Sequence, residues 1–112
     1  MEDEEKEQNL GGKPQTTLTK LTLEKAVELG EYDPKFLANF PEWHTFSRHV
    51  QFEYIRRALD NRRKQLLTHW AELNNVLDFR NKPEVWEALK NVEKQMHNLL
   101  GEKERLFSEY SK

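Results

Sequence analysis

At 112 residues, with 34% charged and 36% hydrophobic side chains, the chain can build one core laid out in stripes, and it lacks the apolar material for a thick globular interior. The absence of cysteine excludes disulfides, thiolate catalysis and cysteine-ligated zinc or iron–sulfur centres. The formal net charge of −2 hides a segregation: acid leads the chain at Glu2, Asp3, Glu4 and Glu5, while Arg48, Arg56, Arg57, Arg62, Arg63 and Lys64 crowd its middle.

Residues 1–17 join that acidic cluster to Gly11-Gly12-Lys13-Pro14 and carry almost no apolar side chains. Such a segment buries too little surface to offset its ordering entropy, so a disordered acidic tail is expected, with a single helical domain over 18–112. A solubilising terminus is its foremost reading, and a competitor for the basic centre its second. The acidic start is the reverse of a leader peptide, Glu2 rules out the usual myristoylation signal, and no apolar run approaches membrane-spanning length. The expectation is a soluble cytoplasmic protein with no membrane partner.

Thr22 is placed to cap a short helix through Glu24 to Leu29, and Gly30 is a natural stop. Asp33-Pro34 repeats the start signal, a cap followed by a first-turn proline, and opens a second short helix carrying Phe36, Leu37 and Phe40. Pro41 then begins a long helix over about 42–77, in which neither Gly nor Pro recurs. Along it Phe52, Ile55, Leu59, Arg62, Leu66, His69, Leu73 and Val76 alternate three and four apart, the spacing of a coiled-coil seam.

Asp78 to Lys82 is rich in turn formers, and Pro83 opens a second long helix over 83–110 with an equally regular seam: Val85, Leu89, Val92, Met96, Leu99, Lys103, Leu106 and Tyr110. So short a connection makes the two helices antiparallel neighbours, with Val76 near Val85, His69 near Val92, Arg62 near Leu99 and Ile55 near Leu106. The predicted fold is all-α: a long antiparallel helical hairpin with two short N-terminal helices, completing a bundle or a dimeric four-helix arrangement. Gly101 either sits on the solvated face of the last helix or ends it before Glu102.

Beside the seam runs a second apolar line, Trp70 and Leu77 on the first long helix and Trp86, Leu100 and Phe107 on the second. Trp43, Phe46, Val50 and Tyr54 form another patch, expected on the early part of the first long helix and facing away from its seam. The N-terminal helices offer enough apolar surface to cover one patch. A homodimer is the leading expectation for the other, with a monomeric bundle or a different protein as alternatives.

The four histidines, His44, His49, His69 and His97, match no zinc or di-iron spacing, and no nucleophile stands with a base and an oxyanion donor. No catalytic residue, metal, cofactor or small-molecule substrate is expected. His69 and Arg62 form either a polar layer in the seam or rim residues whose polar ends reach water. Arg56, Arg57, Arg63 and Lys64 are two cationic pairs seven residues apart, an arrangement suited to phosphates with Tyr54 as a stacking surface, or to a solvated face with internal ion pairs. The leading functional expectation is a non-catalytic protein–protein interaction module, a helical adaptor or small subunit of a larger assembly. It would act through Trp70, Leu77, Trp86, Leu100 and Phe107, or through Trp43, Phe46 and Tyr54. The alternative is a nucleic-acid-associated protein using the basic pairs.

Overall fold

The computed structural model of the chain describes residues 20–112, and every regular element among them is helical. The acidic segment 1–17 and the domain start at residue 18 lie outside the described residues. Helix α1 spans Leu23–Glu28, starting where the Thr22 hydroxyl accepts from the Lys25 amide at 3.1 Å and stopping before Gly30, whose φ is +87°. Helix α2, Pro34–Leu37, is a single turn capped by Asp33, whose carboxylate accepts from the Lys35 amide at 3.0 Å.

The first long helix is shorter than its sequence pattern suggests. Pro41–Thr45 is a 3-10 turn, and helix α3 spans Arg48–Asn74. Ser47 is the reason for the late start: its backbone is extended, and its hydroxyl accepts from the Val50 amide at 3.2 Å. A serine that caps a helix from outside competes with the serine continuing it, and here the cap prevails. At the far end α3 stops at Asn74, which leaves Leu77 in the turn with 80% of its surface exposed. Asp78 adopts a left-handed conformation, and a 3-10 turn at Phe79–Asn81 leads into α4, Pro83–Tyr110. Helix α4 runs unbroken through Gly101, where an added methyl group would meet nothing within 4 Å, so this glycine sits on the solvated face.

Helices α3 and α4 pack along most of their length, burying Ile55, Leu59 and Leu66 from α3 and Leu89, Val92, Leu99 and Leu106 from α4. Their register is fixed by side chains near both ends. The Phe52 ring lies 5.7 Å from Phe107 and 5.9 Å from Tyr110, while Trp70 Nε1 donates to Glu93 Oε2 at 3.1 Å. Two expected seam residues are not in the seam: His69 and Lys103 are both exposed. Beside His69 the half-buried Trp70 takes the place next to α4, since its indole has more apolar surface to cover and one N–H that Glu93 satisfies.

Helices α1 and α2 cover one side of α3. Leu23, Ala26 and Val27 of α1 and Leu37 of α2 are buried in one cluster with Trp43, Ile55, Ala58, Leu59 and Leu106. Polar side chains of α3 fasten the end of α1: Asn61 Nδ2 donates to the Val27 carbonyl at 3.0 Å, Gln65 Nε2 to Leu29 at 2.9 Å and Arg62 Nε to Gly30 at 3.3 Å. The Leu29 and Gly30 carbonyls lie beyond the last turn of α1 and would otherwise lack helical partners, while the Val27 carbonyl also accepts from the Gly30 amide at 3.0 Å.

Candidate interaction surface

The two apolar patches read from the sequence have opposite fates. Trp43 is buried at 4% exposure, and Phe46 and Tyr54 are half-buried against it. Their rings lie within 6.4 Å of one another, with Phe46 stacked on Tyr54 at 5.1 Å. Gln51 Nε2 closes the arrangement by donating to the Trp43 carbonyl at 2.9 Å. The late start of α3 causes this: Trp43 belongs to the 3-10 turn that precedes the helix, so its indole is free to fold inward. Because the chain covers this patch itself, Trp43, Phe46 and Tyr54 form part of its core, with only Val50 still 38% exposed.

The other line stays open. Trp86, Leu100 and Phe107 are 40%, 55% and 59% exposed, and their separations of fourteen and seven residues keep them on one side of α4. Across from them α3 presents Phe52, Arg63 and the half-buried Trp70. The two helices border a groove of about 340 Å³ whose apolar floor is Leu59, Met96 and Leu99; Leu100, Asp60, Arg63 and Lys103 edge it. At the turn, Phe79 stacks on Trp86 at 6.2 Å and Lys90 stands over the Trp86 ring at 5.7 Å, covering part of the indole. The sequence pattern puts Met96 and Leu59 in the seam and does not mark Asp60 at all. Their position beside Leu100 and Lys103 depends on the rotation of both helices, which spacing alone does not set.

The basic quartet is divided. Arg56 holds Glu53 at 2.6 Å, a hydrogen bond that keeps the Glu53 carboxyl below its usual range and raises the Arg56 guanidinium above its own. Arg57 reaches Glu24 of α1 at 3.1 Å and lies 4.8 Å over the Tyr54 ring, so the tyrosine's free face is already occupied. Arg63 edges the groove and Lys64 is exposed; neither has an ion-pair partner among the described residues. Adjacent helical residues point about 100° apart, so these pairs serve two surfaces and not one.

A larger cleft of about 810 Å³ lies between the α1–α2 connection and α4, and several of its charges pair with one another. Arg105 holds Glu102 at 2.8 Å and Glu109 at 3.4 Å, and Arg62 approaches Glu31 at 3.9 Å. Burial, reinforced by the charge of Glu102, pushes the Tyr32 hydroxyl above its ordinary value. Among the described residues no three histidine or carboxylate side chains gather where they would hold a metal ion. No described helix is long and apolar enough to cross a membrane. In comparisons with known proteins, no family model, no curated protein and no solved structure matches the chain.

Proposed function

We propose that the chain is a non-catalytic helical interaction module, an adaptor or small subunit, whose docking surface is the open side of the hairpin. The observation that carries this reading is the exposed line Trp86, Leu100 and Phe107, running beside a seam that is already filled. A helix in a two-helix hairpin needs one apolar stripe, and a second stripe of the same period implies a further helical neighbour. Large aromatic and aliphatic side chains in contiguous exposed lines mark interaction sites on soluble domains, and buried aromatic anchors supply much of the binding energy once covered.

Site-specific photo-crosslinking in the native cell tests the reading. A photoreactive side chain replacing Leu100 should give a discrete protein adduct, while one replacing Asn98, which lines the polar cleft on another side of α4, should not. Equal labelling from both positions, or none from Leu100, would overturn it.

A further inference from the structure

We infer that the occupant of the open face is a second copy of this chain, stacked hairpin on hairpin about a two-fold axis parallel to the helices. In this arrangement α3 of each copy lies over α4 of the other, and each Leu100 enters the other copy's groove. The inference rests on the reading of this face as a docking surface and goes further by naming what docks there.

Two features of the groove carry it. First, knob and hole occur at one level of the hairpin. The apolar floor of Leu59, Met96 and Leu99 needs an apolar side chain from outside, and Leu100, 55% exposed at its edge, needs an apolar hole. A second copy supplies both requirements at once, as the self-complementarity of a two-fold interface demands.

Second, the charges at the groove are arranged for exchange. Asp60 edges it from α3 and Lys103 from α4, yet among the described residues neither joins an ion pair within the chain. An axis parallel to the helices keeps every residue at its own level and swaps the two helices. Lys103 of each copy then comes over the second copy's Asp60, giving two symmetric opposite-charge contacts on either side of the Leu100 knobs. Phe107, which lies at the level of Phe52 within its own chain, likewise comes over the second copy's Phe52. The reversed stacking, with the axis across the helices at Leu100, would leave Lys103 opposite the second copy's His97, which offers no carboxylate to meet it. Charge complementarity therefore selects the level-preserving arrangement.

Analytical ultracentrifugation of the full chain across the micromolar range tests this. The wild type should sediment as a dimer, and Leu100→Glu should be monomeric with its helical circular dichroism intact, because Leu100 is outside the core. Lys103→Glu should weaken association about tenfold, and adding Asp60→Lys to it should restore the wild-type midpoint, since the pair is then reversed and not lost. A chain that is monomeric throughout, with the Leu100 photo-adduct carrying a different protein, would overturn the second copy as occupant and leave the docking face standing. A dimer that survives Leu100→Glu would overturn the second copy as occupant of this face. A dimer lost with Leu100→Glu, but in which Asp60→Lys fails to rescue Lys103→Glu, would overturn the stacking.

Discussion

The carbonyl of Gly30 accepts a hydrogen bond from Arg62 Nε at 3.3 Å, while the α-carbon of the same glycine faces α3 so closely that a methyl group on it would stand 3.1 Å from Arg62 Cα. Its φ of +87° adds a second reason for glycine at this position. Gly30→Ala should therefore cost about 1–3 kcal/mol, from the unfavourable backbone region together with the displaced contact. Gly101 is the control: it is helical with open space around it, so Gly101→Ala should stabilise by about 1 kcal/mol. Thermal melts should shift in opposite directions for the two variants, and a shift of the same sign would contradict the assignment of one of them.

Trp43 and Trp86 should respond unequally to truncation. Removing the buried Trp43 indole opens a cavity among Leu37, Phe46 and Tyr54, and Trp43→Ala should cost about 3–5 kcal/mol in urea unfolding at low protein concentration. Trp86 is 40% exposed and rests on Phe79 at the turn, so Trp86→Ala should change monomer stability by about 1 kcal/mol or less. Similar losses at both positions would mean that the early aromatic cluster is not packed as described.

The hairpin itself was legible because its two seams obey one period and meet through one short turn; Leu59, Leu66, Val92, Leu99 and Leu106 are buried where spacing puts them. The caps at Thr22 and Asp33 were equally legible, since each is a local hydrogen bond between near neighbours. The start of α3 was not. Pro41 and Ser47 are both valid start signals, and the local pattern alone does not show that the Ser47 cap prevails and leaves Trp43 outside the helix, free to join the α1–α2 core. The candidate face was legible in Trp86, Leu100 and Phe107 but not in its groove. Asp60 and Lys103 become neighbours of one cavity only after two helices have taken a mutual rotation.

Tyr32 gives the protein an alkaline weakness. Burial, then the charge of Glu102, raises its hydroxyl above the ordinary value of 10.0, so the folded state favours the neutral phenol. The stability this contributes is full below the unfolded value and is lost as pH rises through the higher folded one. Urea midpoints should fall more for the wild type than for Tyr32→Phe between about pH 9 and about pH 11. Tyr110 is shifted in the same direction but is present in both proteins, and drops out of the comparison. Parallel declines would show that Tyr32 ionises without a folding penalty.

Nucleic acid is the competing partner class, and salt dependence separates it from protein docking. Four free cations on one stripe would give a log–log slope of about −3.6 on duplex DNA, whereas two would give about −1.8. With Arg56 on Glu53 and Arg57 on Glu24, only Arg63 and Lys64 of the quartet lack an internal ion pair among the described residues. A fluorescence titration with duplex DNA should show a slope no steeper than about −2. A slope near −3.6 would mean that phosphates displace both carboxylates, and would return the basic helix surface to the front of any functional account.

The side-chain clasp of Asn61, Arg62 and Gln65 on the carbonyls at the end of α1 sets an order of assembly. Helix α1 has six residues, far below the length at which a helix persists in water, so it has no stable form before α3 exists to receive it. The hairpin should close first, with α1 and α2 seating against it as a late, reversible step. Opening should run the same course backwards, with Leu23–Glu28 released as a unit while α3 and α4 stay paired. In native-state hydrogen exchange the amides of Ala26 and Val27 should therefore exchange well before those of Leu66 and Val92. Among the described residues, a protease acting on the folded chain should cut beside α1 before it cuts the hairpin or its open face.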